Sequence, residues 1–270
     1  MRHDFTLKEQ DVPYFESGLF REYGIKHAFF TRRGGVSEGV FGSLNFAEGI
    51  GDIKDSPENV MENYRTAANV FGLSESDVCR SYQTHTNNVI FVTEKDRGTG
   101  VTKEKFSFGV DGLVTDTKDL LLSVRTADCV PVLLCDRQAK VCAAVHAGWR
   151  GTLGGITKNA VALMEKHGVK KCDILAAIGP CIGQCCYEVG AELLDFFRDK
   201  NRDYADFFKP KNEKYMLDLK GLNAYILAAA GIGEDSISVS DSCTKDDEYN
   251  FFSHRRSGKN RGTMSAFITV

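Results

Sequence analysis

The chain has 270 residues, of which 42% are hydrophobic and 26% are charged, and its formal net charge is −3 at pH 7. This charge gives no basic surface for nucleic acid, and no stretch approaches the roughly 20 apolar residues that a membrane-spanning helix needs. Nine cysteines and a polar N-terminus without a secretion signal predict reduced thiols and a cytoplasmic protein rather than a disulfide framework.

The order of the predicted elements indicates an α/β fold with mixed sheets, in which strands and helices interleave without internal repeats and no linker divides the chain. Helices are predicted from apolar residues at helical spacing, as after Ser56, an N-cap residue followed by proline. In chain order the predictions are a strand at 27–31, a helix at 57–71, strands at 111–116, 120–125, 132–135 and 141–145, a helix at 151–167, a strand at 173–178, helices at 190–200 and 218–230, and strands at 237–240 and 264–270.

Cys129 and His146 flank the predicted hairpin and are the most informative pair in the sequence. If the hairpin forms, the chain folds back and brings these two residues together. His85 precedes the apolar run 89–92, so all three residues lie at strand ends, where an α/β fold exposes functional groups. One thiolate and two imidazoles suit zinc, and three protein ligands leave a fourth position open for water.

Two other interpretations of these residues remain open at this point. In a metal-free enzyme, Cys129 would be the nucleophile and His146 its base, with Asp128 or Asn87 as the orienting group. Alternatively, Cys129 is a buried free thiol and both histidines are ordinary core residues. The spacing matches no short zinc motif, so the residue pattern alone does not decide among the three interpretations.

Weaker candidates lie elsewhere in the chain. Arg32 and Arg33, beside a glycine pair, are candidates for binding an anion, although a solvated turn is the simpler interpretation. Trp149, the only tryptophan, is a candidate for stacking on a flat aromatic substrate, and packing within the fold is an equal alternative. Arg255 and Arg256 are candidates for an anionic group, although solvated charge is the simpler interpretation. The cysteines at 181, 185 and 186 fit no common zinc motif, and a packed turn with reduced thiols is the simpler interpretation.

Several motifs along the chain carry a family resemblance. They are TRxGGVS at 31–37, LN at 44–45, QxH at 83–85, DGxVT at 111–115, TADCxP at 126–131, HAGWRG at 146–151, IGPCI at 178–182 and YEVG at 187–190. Together they resemble the laccase-domain family, also called the multicopper polyphenol oxidoreductase or YfiH-like family. The resemblance covers about residues 27–270, and the blocks around Cys129 and His146 are its most specific part.

The resemblance implies a single α/β domain over residues 1–270, with layered mixed β-sheets flanked by helices. It implies metal ligands at His85, Cys129 and His146, with Zn²⁺ as the expected cofactor and Cu²⁺ as the alternative. The implied activities are phosphorolysis of adenosine, inosine, guanosine and methylthioadenosine to the base and a (methylthio)ribose 1-phosphate, and hydrolytic deamination of adenosine. The implied partners are purine nucleosides and inorganic phosphate, and the chain is expected to be a monomer or a homodimer.

Within this interpretation other residues receive roles as hypotheses. Asp128 or Glu188 would carry a proton when zinc-activated water attacks adenine, and Arg32 with Arg150 would clamp phosphate. The family motifs also supply expected substrate-binding residues, namely Asn45, Gln83 and Trp149.

Two further activities stay open: copper-dependent polyphenol oxidation by a laccase, and a Cys–His hydrolase that acts in peptidoglycan precursor editing. A laccase couples several copper ions and needs many histidines, whereas this chain has six. The chain also departs from the family near its C-terminus. Where a Gly-Arg-Met sequence is expected it has NRGTM at 260–264, so Arg261 receives no role from the resemblance.

Overall fold

The strands and helices of the computed structural model, which describes residues 1–270, have the following bounds. The strands are β1 (Phe5–Lys8), β2 (Tyr14–Ser17), β3 (Lys26–Phe30), β4 (Val78–Arg80), β5 (Val89–Phe91), β6 (Gly112–Thr115), β7 (Leu121–Thr126), β8 (Val130–Asp136), β9 (Cys142–Ala147), β10 (Ile174–Ile178), β11 (Glu188–Val189), β12 (Phe208–Lys211), β13 (Lys214–Leu217), β14 (Ile237–Val239) and β15 (Met264–Thr269). The helices are α1 (Gly18–Glu22), α2 (Pro57–Asn69), α3 (Trp149–Leu153), α4 (Ile156–Lys166), α5 (Ala191–Lys200), α6 (Leu219–Ala229) and α7 (His254–Ser257).

The strands form two six-stranded sheets and one three-stranded sheet. The first sheet has the order β1-β2-β3-β15-β7-β4, the second β14-β10-β8-β9-β6-β5, and the third β11-β13-β12. In the first two sheets most neighbours are antiparallel, but β4 pairs with β7, β5 with β6 and β10 with β14 in parallel. The predicted α/β fold with mixed sheets is therefore confirmed.

The first and second sheets pack face to face, and helices cover their outer faces. Alternate residues of β8 point to opposite sides: Leu133 joins the apolar layer between the sheets, and Leu134 joins the core beneath α4 and α6. Helix α2 covers the outer face of the first sheet, where Tyr64 packs against Phe267 of β15. Because both faces of the central strands are covered, β8 is buried along its whole length.

The hairpin of β8 and β9 forms as predicted. Its register pairs Pro131 with His146 and Val130 with Ala147, which places the start of β8 beside the end of β9. The side chain of Asp136 closes the turn by accepting hydrogen bonds from the backbone N–H groups of the turn residues at 138, 140 and 141.

One helix prediction is wrong, because the structure has two helices where the sequence predicts one. The sequence predicts a single helix at 151–167, whereas the chain forms α3 and then α4. The break lies at Gly155, whose φ of 78° is in the left-handed region that glycine adopts at little cost. Helix α3 therefore stands apart from α4 and carries Trp149 and Arg150 at its start.

The N-terminal strands and the third sheet were not predicted from the sequence. Strands β12 and β13 form a hairpin with a two-residue turn in which Asn212 has a φ of 53°. Charged and exposed residues dominate β12, which hides the alternating pattern on which a strand prediction depends. None of the helices combines the length and the apolar character that crossing a membrane would require.

Candidate functional site

The structure brings the three predicted metal ligands together. Cys129 lies between β7 and β8, His146 lies on β9, and His85 lies in the loop between β4 and β5. The Sγ atom of Cys129 is 3.9 Å from Nε2 of His85, and the ring centroids of the two histidines are 5.0 Å apart. The ligand atoms of all three residues lie within 4.8 Å of one another.

These distances and donor atoms fit a metal ion. Zinc–sulfur and zinc–nitrogen bonds of tetrahedral geometry would place a sulfur and a nitrogen about 3.6 Å apart, close to the separation of Cys129 and His85. Gly148 provides the space beside them, because a Cβ atom there would lie 3.0 Å from Cδ2 of His85 and 3.2 Å from Sγ of Cys129. One thiolate and two imidazoles suit zinc and copper alike.

Asp111 organises both histidines, and sequence reasoning missed it. Its buried carboxylate accepts a hydrogen bond from Nδ1 of His146 at 2.8 Å, which leaves Nε2 of that ring for the metal site. The same carboxylate accepts the backbone N–H groups of Thr84, His85 and Thr86. These bonds hold His85 at a φ of 62°, a strained conformation for a residue with a side chain.

The electrostatics of the site favour the thiolate form of Cys129. Burial alone would raise the pKa of this thiol, but His146 and His85 lower it to about 6. Burial likewise opposes the charged form of His146, yet Cys129 and Asp111 raise its pKa to about 9. The pKa of Asp111 is lowered to about 2, because hydrogen bonds and charge from His146 outweigh its burial. A thiolate is the form that binds metal ions and attacks carbon centres.

Two of the three predicted ligands, His85 and Cys129, line a cleft of about 380 Å³. Apolar and aromatic residues form part of its wall, among them Ile182, Tyr187 and Trp149. Two guanidinium groups stack on these aromatics: Arg150 lies 4.2 Å from the ring centroid of Trp149, and Arg255 lies 5.2 Å from that of Tyr187. A cleft of this size with aromatic faces suits a small flat molecule.

Arg261 is a further cationic residue of the cleft wall, and it was not assigned from the sequence. Its Nε atom is buried without a hydrogen-bond partner, and its Nη1 donates to the carbonyl oxygen of Gly262. Burial lowers the pKa of this guanidinium, while Asp128 and Cys129 oppose the shift. The sequence signal was the departure at 260–264, which keeps an arginine near the expected position.

Asp128 lines the cleft, whereas Glu188 does not. The Asp128 carboxylate accepts hydrogen bonds from Oγ1 of Thr244 at 2.7 Å and from the backbone N–H of Arg255 at 2.6 Å. The Glu188 carboxylate is partly exposed and pairs with Lys214 at 2.7 Å, which lowers its pKa.

Three other predicted residues hold loops in place outside the cleft wall. Arg32 donates from Nε to the carbonyl oxygen of Gly42 at 2.8 Å and stacks on the ring of Phe252. The Asn45 side chain donates to Asp55 and accepts from the backbone N–H of residue 263. The Gln83 side chain donates to the Arg125 carbonyl oxygen and accepts from the Arg125 N–H, and so joins its loop to β7.

Comparisons with known proteins agree with this architecture. The sequence model of the family described as multi-copper polyphenol oxidoreductase laccase matches residues 26–270. The protein named purine nucleoside phosphorylase YlmD of Geobacillus stearothermophilus is 38% identical over 244 residues, which are 88% of this chain and 87% of the relative. A protein from an unknown prokaryotic organism named adenosine deaminase RL5 is 36% identical over 239 residues, 87% of this chain and 90% of the relative. The crystal structure of YlmD from Geobacillus stearothermophilus superposes with a TM-score of 0.88 at 34% identity, covering 99% of this chain and 98% of that one.

Proposed function

The chain belongs to the family described as multi-copper polyphenol oxidoreductase laccase, and within this family we propose that it is a zinc-dependent enzyme acting on purine nucleosides. The proposed reactions are phosphorolysis of adenosine, inosine, guanosine and methylthioadenosine, and hydrolytic deamination of adenosine. The observation that carries the proposal is the convergence of His85, Cys129 and His146, of which His85 and Cys129 line a cleft with aromatic and guanidinium side chains. The names of the two relatives, a purine nucleoside phosphorylase and an adenosine deaminase, support the same substrate class.

His85, Cys129 and His146 would hold the metal ion. When bound there, zinc supplies a Lewis acid that activates water for attack on the adenine ring. Asp111 keeps the Nδ1 proton of His146 in a hydrogen bond and so directs the Nε2 lone pair of that ring toward the site. Its bonds to the backbone around His85 fix the position of the second imidazole.

The cleft wall would orient the nucleoside and the phosphate. Trp149 offers a flat face for a purine base, and the neighbouring apolar residues exclude water from it. Arg150, Arg255 and Arg261 supply guanidinium donors that suit phosphate, which must be held against C1′ of the ribose. Among these we assign Arg261 to the phosphate, since its buried Nε has no protein partner.

The proton required for deamination is assigned to Asp128 rather than to Glu188. Both residues were candidates on the sequence, but only Asp128 lines the cleft. The Glu188 carboxylate is paired with Lys214 and Lys211 on the third sheet. Asp128 also fixes the wall of the cleft through Thr244, so it would combine proton transfer with a positioning role.

The test removes Cys129 and follows metal and both reactions. Cys129→Ala is expected to lower the zinc content by about one ion per chain, and to abolish phosphate-dependent release of hypoxanthine from inosine and ammonia release from adenosine. The matched control is Cys172→Ser, which changes an exposed thiol outside the cleft. Retention of both activities in the Cys129 variant would overturn the proposal.

One alternative has an observation of its own. The low pKa of Cys129 beside His146 is also what a Cys–His hydrolase requires, and peptidoglycan precursors would then be the substrates to examine. Removal of the metal from the wild type with a chelator separates the two functions, because hydrolase activity would need Cys129 but survive removal of the metal. A copper-dependent polyphenol oxidoreductase would instead show oxygen consumption that depends on bound copper.

A further inference from the structure

A second cluster of metal-binding side chains lies outside the residues of the first site. Cys185 and Cys186 lie in the loop between β10 and β11, and Cys243 and Asp246 lie in the loop between β14 and α7. Their sulfur and carboxylate oxygen atoms lie within 4.8 Å of one another. The Asp246 carboxylate is 3.2 Å from Sγ of Cys185 and 2.8 Å from Sγ of Cys186.

Gly183 makes room for this cluster and contributes to it. A Cβ atom at this position would lie 3.0 Å from Sγ of Cys185 and 3.2 Å from Cβ of Cys243, so a larger residue would displace the sulfur atoms. The backbone N–H of Gly183 donates to Sγ of Cys243 at 3.2 Å. Metal ligands are characteristically held by such outer hydrogen bonds.

The second loop is also fixed by backbone and side-chain contacts that do not involve the ligand atoms of the cluster. Cys181 and Cys243 form an isolated β-bridge, which joins the two loops through their backbones. The guanidinium of Arg256 donates to the carbonyl oxygens of Thr244 and Lys245, and the ammonium of Lys220 donates to two other carbonyl oxygens of the loop. These two cations also oppose the negative charge that three thiolates and a carboxylate would bring.

We propose that Cys185, Cys186, Cys243 and Asp246 bind a second zinc ion in a structural site. Three sulfur ligands and one carboxylate oxygen form a soft, four-membered donor set of the kind that holds zinc tetrahedrally. With four protein ligands the site is closed, unlike the set of His85, Cys129 and His146, which leaves a position open. The sequence spacing of the cysteines at 181, 185 and 186 concealed this site, because Cys243 and Asp246 complete it from a distant part of the chain.

The second zinc ion would stabilise one wall of the cleft. The first loop also carries Ile182 and Tyr187, which line the cleft. In the second loop, Thr244 follows Cys243 directly and donates to Asp128, the neighbour of Cys129. Zinc at the cluster therefore raises thermal stability, and its influence on turnover rests on the function proposed above.

The experiment counts zinc in variants of the full-length protein. Protein purified with a reductant is equilibrated with buffered Zn²⁺, and bound metal is measured by mass spectrometry. The wild type is expected to hold about two ions per chain, Cys186→Ser and Cys129→Ser about one each, and the double variant none. Asp246→Asn is a milder change at an exposed ligand, and it is expected to weaken binding at the second site by 10-fold or more.

Cobalt substitution identifies which ligands hold each ion. Sulfur-to-cobalt charge-transfer absorption is expected to be strong in Cys129→Ser, where three thiolates remain, and weak in Cys186→Ser. Cys172→Ser changes a thiol outside both clusters and should retain both ions and the full spectrum. Circular dichroism of each variant shows that a lost ion does not reflect an unfolded chain.

Two results would overturn the second site. One is a wild-type protein with about one zinc ion that disappears in Cys129→Ser and persists in Cys186→Ser, which would leave the function proposed above intact. The other is a disulfide among Cys185, Cys186 and Cys243 in protein purified without reductant, together with no cluster-dependent zinc after reduction. A wild-type protein that holds zinc only at the second cluster would instead count against the proposed function.

Discussion

At the scale of single residues, the contacts that position the site come from residues outside the proposed ligand set. The Asp111 carboxylate accepts hydrogen bonds from Nδ1 of His146 and from three backbone N–H groups of the His85 loop, so one carboxylate positions two of the proposed ligands. Gly148 leaves space beside His85 and Cys129, two of the proposed metal ligands. Neither role needs a reactive group, and each depends on positions far apart in the chain.

The proposed assignment of phosphate binding to Arg261 can be tested against the alternative assignment to Arg32. Replacement of Arg261 by Gln is expected to raise the KM for phosphate by 10-fold or more while adenosine deamination persists, because a buried donor without a protein partner is lost. The sequence had favoured Arg32, whose Nε is engaged by the Gly42 carbonyl oxygen. Steady-state kinetics with varied phosphate checks the assignment, with Arg32→Ala measured in parallel.

The parallel variant gives the comparison a definite outcome. If Arg32→Ala alone raises the KM for phosphate and Arg261→Gln leaves it unchanged, the assignment to Arg261 fails and the sequence-based assignment stands. Loss of Arg32 is expected to act on its loop, and therefore on thermal stability and on both reactions together, because its guanidinium stacks on Phe252 and bonds to backbone oxygens.

The residue scale also shows what the sequence can and cannot predict of the site. Cys129 and His146 were predictable because a hairpin is a local structure whose register places its ends together. The roles of Asp111 and Arg261 were not, since each depends on loops brought together by tertiary packing. Asn45 and Gln83 belong to family motifs, yet their side chains bond to other loops and to strand β7 and do not line the cleft.

At the scale of elements, glycine decides where α3 ends and α4 begins. A Cβ atom at Gly155 would meet nothing within 4 Å, so the only penalty of a side chain there is its φ of 78°. The Trp149 and Arg150 side chains of the cleft depend on this break, because a continuous helix would carry α3 in another direction. The helical periodicity of 151–167 gave no sign of it, since two glycines within a helical pattern are tolerated in sequence terms.

Gly155→Ala isolates the energy of that backbone conformation. We expect a loss of roughly 1–2 kcal/mol in the free energy of unfolding, the usual penalty for an L-residue in the left-handed region. Urea unfolding followed by circular dichroism measures the change. Gly233→Ala is the matched control, because its backbone does not have a positive φ and its Cβ would have only a distant contact with Ser236. Equal stability of the two variants would show that the helix break carries no such strain.

At the scale of the whole molecule, the site lies where the layers of the fold meet. Cys129 connects β7 of the first sheet to β8 of the second, and His85 lies in the loop that connects β4 of the first sheet to β5 of the second. The order of strands within each sheet could not be predicted, because β15 pairs between β3 and β7 from the far end of the chain. The class of fold was predictable from the interleaved pattern, whereas the arrangement of strands that creates the cleft was not.

This junction makes global stability depend on pH through Asp111. The pKa of its carboxylate falls from an ordinary 3.8 to about 2 on folding, chiefly because interactions with His146 outweigh burial. A depressed carboxylate pKa stabilises the fold above about pH 4, and this contribution, roughly 2 kcal/mol, disappears as pH falls toward 2.

In metal-free protein, the difference in unfolding free energy between wild type and Asp111→Asn should therefore shrink over that interval. Asn places a donor against backbone N–H groups and adds a penalty that does not depend on pH, so the slope of the difference is the diagnostic quantity. Asp116→Asn, at an exposed carboxylate, serves as the control; a difference for Asp111→Asn that stays constant from pH 5 to pH 2 would contradict the coupling.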